Sequence, residues 1–198
     1  MKIALIGAKG GTGKTTTVVT LARLWRAQRP LLLDMDTQAA TQNFARVLKP
    51  CRVVASQPSE AAYLLDHAQE TLILVDCPPD LERSRPALSR CDLAIVPTQT
   101  EFLALRGNDA AIRQLQTEYS NLRVCVLLTM FVPSMVSHRN VRDAAREEYG
   151  AQVFNTIIHK NNAVALASED GKTVFDVSPD GLTARQYEKL AKEILCPT

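Results

Sequence analysis

The run GAKGGTGKT, from Gly7 to Thr15, constrains this chain more than any other feature. It fits the spacing G-x-x-x-x-G-K-[ST], and it lies between an apolar run, KIALIG, and a helix-compatible segment from Lys14 to Gln28. A glycine-rich turn of this kind binds anions because its backbone N–H groups curl inward and the next helix adds the positive end of its dipole. The arrangement works only where a strand ends and a helix begins, and an incidental glycine turn would lack those flanks. In this pattern the N–H groups of Gly10 to Lys14 cradle a phosphate, Lys14 reaches the β- and γ-phosphates, and the Thr15 hydroxyl ligates Mg²⁺. The implied ligand is a nucleoside triphosphate with its metal, held by Gly10, Gly11, Thr12, Gly13, Lys14, Thr15 and Thr16; Lys9, at the tip of the loop, is either a solvated loop charge or a cation aimed elsewhere.

The rest of the chain repeats the same alternation. Apolar runs of strand length occur at Lys2 to Gly7, Pro30 to Asp34, Thr71 to Asp76, Asp92 to Pro97, Leu122 to Met130 and Ala151 to Ile158. They are nearly continuous, which marks strands buried on both faces of a parallel sheet. Helical segments are expected at Lys14 to Gln28, Thr37 to Val47, Ser59 to His67, Glu101 to Tyr119, Ser137 to Tyr149 and Leu182 to Leu195. The expectation is an α/β fold, doubly wound, with a mostly parallel sheet and helices on both faces. With 198 residues and no linker-like segment, the chain reads as one domain over 1–198.

Charge and cysteine usage narrow the function classes. There are 23 Lys and Arg against 21 Asp and Glu, so the chain is no polycation, and any nucleic-acid contact must come from a local patch or from several copies. Five cysteines without a C-x-x-C pair argue against a disulfide framework or a zinc site and fit a reducing, cytoplasmic setting. His67, His138 and His159 are isolated, which favours packing or surface roles. No apolar run approaches the ~20 residues of a membrane span.

Carboxylates end two of the expected strands. LLLDMDTQ carries Asp34 and Asp36, and LILVDCPP carries Asp76. A strand-end aspartate beside a phosphate loop can hold Mg²⁺ through water or orient an attacking water, which makes Asp76 the candidate metal-side carboxylate. Pro133 to Arg142 holds Arg139 and Arg142 with no acid, a candidate patch for non-specific DNA contact.

The segment KGGTGKTT, with its additional Lys9, resembles the deviant Walker A motif of the ParA/MinD ATPases. DMDTQ is similar to that family's D-x-D-P-Q switch and DCPP to its second switch, with Thr37 standing where proline is usual. PTQTEFLALRG, LLTMF and IIHKNNAVALASEDGKTVFD resemble later family segments in the same order. The resemblance, closest to small plasmid-type ParA proteins, covers most of the chain. It implies an ATP- and Mg²⁺-dependent P-loop ATPase with weak turnover. Lys9 would act in trans on the partner's phosphates, Asp36 would position water and share the metal with Thr15 and Asp76, and Met130 and Asn161 would border adenine. Lys160, in place of the family's arginine, would contact DNA.

Further implications are an ATP-dependent homodimer, non-specific double-stranded DNA, a ParB-like centromere- or cargo-binding partner and nucleoid association. With the first apolar run starting at Lys2, no N-terminal DNA-reading domain is expected. The terminal segment YEKLAKEILCPT resembles a core stripe more than a membrane-lying helix, so no stable membrane association is expected. Two alternatives stay open: a positioning ATPase for a protein cargo, and a metabolic ligase of the dethiobiotin-synthetase type.

Overall fold

The computed structural model describes residues 1–36 and 40–196. Its six strands are β1 (Lys2–Leu5), β2 (Leu31–Asp34), β3 (Arg52–Ala55), β4 (Ile73–Asp76), β5 (Leu93–Gln99) and β6 (Arg123–Thr129). They form one sheet in the order β3-β2-β4-β1-β5-β6, and every pairing is parallel. The helices are α1 (Lys14–Leu24), α2 (Ala45–Leu48), α3 (Pro58–His67), α4 (Leu81–Leu88), α5 (Phe102–Glu118), α6 (Val136–Tyr149), α7 (Asn162–Glu169), α8 (Val174–Val177) and α9 (Leu182–Leu195).

Successive strand residues serve opposite faces, so the continuous apolar runs feed two cores. Ile3, Leu5, Leu32, Leu74, Ile95 and Leu127 pack on one side with Val18 and Leu21 of α1 and with Tyr187, Leu190 and Ile194 of α9. Ala4, Ile6, Leu33, Val75, Val96 and Leu128 pack on the other side with Leu65 of α3, Leu88 of α4, Ile112 of α5 and Val141 of α6. The adjacent strands β1 and β4 therefore send their helices, α1 and α4, to opposite faces. That divergence opens a crevice at the carboxyl ends of the strands, where doubly wound sheets bind ligands. The α9 stripe is a core face, as expected, except that its end residues Leu182 and Leu195 are exposed.

Two strand expectations are corrected. Ala151–Ile158 is not a strand: only an isolated bridge joins Val153 to Val126. The carboxylate of Glu193 on α9 accepts the N–H groups of Asn155 (2.8 Å) and Thr156 (2.9 Å), which takes them out of any ladder. The sixth strand is instead β3, whose residues Val53 and Val54 are only half buried at the sheet edge. Between Leu31–Asp34 and β3 the chain forms a 3₁₀ turn at Ala40–Phe44 followed by α2. Thr37, the residue standing where the family has proline, lies outside the described residues.

Candidate active site

The phosphate loop sits at the crevice. Gly11 (φ 74°) and Gly13 (φ 98°) take left-handed backbone that other residues adopt only with strain, and Gly13 is the cap of α1. The loop is braced from three directions. The buried Asn108 of α5 accepts the Ala8 N–H at 3.2 Å while its own amide donates to Thr98 Oγ1 at 3.0 Å. Gln99 donates to the Gly11 carbonyl at 2.9 Å, and Thr129 donates to the Thr12 carbonyl at 3.0 Å. In the sequence, Gln99 and Thr129 are only polar residues closing the apolar runs of β5 and β6, and Asn108, inside α5, carries no such signal.

The charged groups gather below the loop. Lys14 is buried, its Nζ donates to the Lys9 carbonyl at 3.0 Å, and burial lowers its pKa against the pull of Asp76 and Asp36. Thr15 Oγ1 donates to Asp76 Oδ2 at 2.7 Å. Asp76 Oδ1 is buried without a partner, an orphaned acceptor of the kind that a hard cation or its water satisfies. Burial pushes the Asp76 carboxyl up to about 7; Asp34 and Asp36 add to the rise, and the Thr15 hydroxyl and Lys14 oppose it. The residues present therefore fit Mg²⁺, with Thr15 and Asp76 as its oxygen donors and Asp36 on the cavity wall.

The two aspartates of the β2 end divide their tasks. Asp34 is buried and accepts the Asp36 N–H (3.0 Å), the Thr41 N–H (3.1 Å) and the Thr41 hydroxyl (2.6 Å), so it ties down the segment that carries Asp36. Asp36 lines a cavity of about 410 Å³ together with Gly10, Gly11, Lys14, Thr15 and Arg83. Lys9 does not line that cavity. Its side chain lies over Gly107 of α5, and its ammonium reaches the Leu103 carbonyl at 3.5 Å, in the open.

A second cavity, of about 290 Å³, adjoins the first at Gly13, Thr16 and Met130 and is lined further by Ile158, Asn161, Val164 and Tyr187. Its mainly apolar wall suits a flat base. Met130 has φ 54°, a left-handed backbone geometry that a non-glycine residue adopts with strain. Asn161 caps α7, accepting the Ala163 N–H and donating to Thr183 Oγ1, so it serves this cavity as a fixed wall.

Of the candidate DNA residues, Arg139 and Arg142 line neither cavity, whereas Lys160 lines the second one with Gly13 and Thr16. Arg139 donates to the Pro133 carbonyl at 2.6 Å. Arg142 forms a two-pronged pair with Asp143 and rests over the Phe131 ring. Phe131 also carries His159, the neighbour of Lys160, so Arg142 and Lys160 share one neighbourhood. The histidines have packing or surface places: His138 Nδ1 accepts the Val132 N–H at 3.1 Å and meets the Thr100 hydroxyl, and the exposed His67 stacks on Tyr63 at the surface. Cys77 is fully buried with its thiol pushed well up by burial, an inert environment.

A family model for the CobQ/CobB/MinD/ParA nucleotide-binding domain matches residues 3–174. The chain is 28% identical to the chromosome-partitioning ATPase Soj of Thermus thermophilus, with 98% of this chain and 95% of that one covered. Among solved structures it is similar to a Borrelia burgdorferi protein bound to AMPPNP and described as a plasmid partition protein (TM-score 0.78, 18% identity, 98% of both chains). It is similar also to the septum site-determining protein MinD of Pyrococcus horikoshii complexed with Mg-ADP (TM-score 0.76, 18% identity, 98% of this chain and 95% of that one). At these identities the structural likeness shows the fold.

Removing the Asn108 amide should loosen the loop. Asn108→Ala is expected to lower stability by about 1–2 kcal/mol in urea unfolding, the usual range for a buried polar brace, and to weaken nucleotide binding in calorimetry. Asp76 gives a pH signature in the nucleotide-free protein. Its folded value of about 7 exceeds the ~3.9 of an unfolded aspartate, so the folded chain holds the extra proton between those values. Its contribution to stability is then full below about pH 4 and is lost as pH rises through about 7. The stability of Asp76→Asn relative to the wild type should therefore increase from pH 5 to pH 8 in urea unfolding with chelator present. A pH-independent difference would contradict this.

Proposed function

The chain belongs to the CobQ/CobB/MinD/ParA family of nucleotide-binding domains, and from that premise we propose that it is a Mg²⁺-dependent ATPase acting as a dimeric switch in DNA partition. The observation that carries the reading is the division between its two loop lysines. Lys14 is buried at the phosphate cavity, whereas Lys9 is exposed and off that cavity's wall, a placement that supports action on a partner's nucleotide.

The chemistry follows from which groups face the cavity. The loop N–H groups from Gly10 to Lys14 and the start of α1 hold the phosphates, and the Lys14 ammonium leaves the Lys9 carbonyl for the phosphate oxygens. Thr15 and Asp76, together with Asp36 from the cavity wall, would hold Mg²⁺, which would supply neutralisation of the phosphate charge. Asp36 orients the attacking water, and the Asp34 brace fixes the backbone that presents it. Lys9 from the second subunit counters charge developing on the transferred phosphoryl group, as an arginine finger does. The adenine ring lies in the cavity between Met130 and Asn161.

Two copies of a modest basic patch, Arg139, Arg142 and Lys160, bind duplex DNA without sequence preference while ATP holds the dimer. The pairing of Arg142 with Asp143 keeps the single-copy affinity low. A ParB-like partner bound to the cargo stimulates hydrolysis and release, so the protein cycles on the nucleoid. The Soj and plasmid partition relatives support partition as the process. Turnover is slow until dimer, DNA and partner are assembled.

ATPase assays with and without non-specific duplex DNA, on wild type and Lys9→Ala, test this reading. Wild type should be stimulated. Lys9→Ala should lose at least about tenfold of the stimulated rate, within the range for a phosphate-contacting cation, while still binding ATP. Turnover indifferent to DNA that appears only with a small carboxylic acid would mark a metabolic ligase, and an undiminished rate in Lys9→Ala would remove the trans role.

A further inference from the structure

The phosphate cavity has a cation that neither the glycine loop nor the aspartates account for. Arg83, the third residue of α4, lines the cavity of about 410 Å³ with Gly10, Gly11, Lys14, Thr15 and Asp36. Its backbone is held firmly. The Asp80 carboxylate accepts the Arg83 N–H at 3.2 Å, and the buried Ser84 hydroxyl donates to the Asp80 carbonyl at 2.7 Å and toward the Pro78 carbonyl at 3.5 Å. With Pro78 and Pro79 restricting the turn, Arg83 is carried at a fixed offset from Asp76.

The acids nearest in sequence are otherwise engaged. Asp80 caps the helix, and Glu82 pairs with Arg85 at 2.7 Å, which also reaches Glu118 at 3.1 Å. No hydrogen bond or ion pair of the Arg83 guanidinium occurs among the described residues. A cation in the first turn of a helix also faces the positive end of the dipole, so the helix itself gives no reason for arginine there. Lys14 and Arg83 are the cationic side chains on a wall that also carries Asp36. The Arg83 guanidinium is exposed and has no partner among the described residues, and its planar fork matches phosphate oxygens.

We infer that Arg83 is a phosphate-contacting residue whose guanidinium docks on the terminal phosphoryl group of the nucleotide bound by its own chain. It joins Lys14 there and makes α4 sensitive to whether that group is present. The inference rests on the nucleotide reading of the site. Its signature is selectivity: a group that touches only the terminal phosphate favours triphosphate over diphosphate.

The test is fluorescence titration with mant-ATP and mant-ADP in Mg²⁺, at a protein concentration where light scattering shows monomer. Arg83→Ala should lose roughly tenfold or more in mant-ATP affinity, the usual scale for a charge-assisted hydrogen bond, with mant-ADP affinity held within about twofold. Arg83→Lys should recover part of the loss. Equal losses for both nucleotides, no loss for either, or a loss seen only in the dimer would overturn the inference and leave nucleotide binding intact. A wild type that binds neither probe would overturn the nucleotide reading itself.

Discussion

The hydrogen bond from Thr15 to Asp76 is the contact on which the rest of the site depends. It joins the first turn of α1 to the end of β4 at 2.7 Å, across the point where the sheet's connections diverge. The fold brings the two together: Thr15 lies in the first turn of α1, just after its Gly13 cap, and Asp76 is held by β4 beside β1, with Leu5 and Asp76 in register. One carboxylate oxygen is thereby occupied, and the other is buried without a partner. A buried, half-satisfied carboxylate costs stability, and its rise to about 7 expresses that cost. Strain of this kind is tolerable in a site where a divalent ion relieves it.

Around that contact, separate parts of the structure have separate tasks. Asn108, Gln99 and Thr129 hold the loop open from the β5 and β6 side, while Asp34 holds the segment bearing Asp36 from the β2 side. The strained backbone at Met130 places that residue where the two cavities meet. Lys14 and Lys9, five residues apart, are sent to different surroundings by the loop's left-handed glycines. In the proposed dimer, that separation would let one loop serve its own nucleotide and its partner's.

Much of this was legible in the sequence because it is encoded locally. The glycine spacing fixed the loop, Lys14 and Thr15, and the nearly unbroken apolar runs announced β1, β2, β4, β5 and β6. What failed was relational. Ala151–Ile158 has a strand's composition, but Glu193, far along the chain, captures its N–H groups. β3 has only two half-buried valines, too short a run to signal an edge strand. The braces Asn108 and Gln99 look like ordinary polar residues until the fold brings them to the loop. Arg83 likewise sits in an ordinary charged stretch, LERSR, and only the turn through Pro78 and Pro79 brings it to the cavity wall.

If the glycine loop, with Lys14 at its base, binds the phosphates of a Mg²⁺–nucleoside triphosphate, calorimetric titration of ATP in Mg²⁺ into the wild type and Lys14→Ala will show it. One site per chain in the wild type and a loss of roughly 100-fold in the variant are predicted, the scale for removing a buried charged partner. Equal affinity in both proteins, or no binding to the wild type, would contradict it.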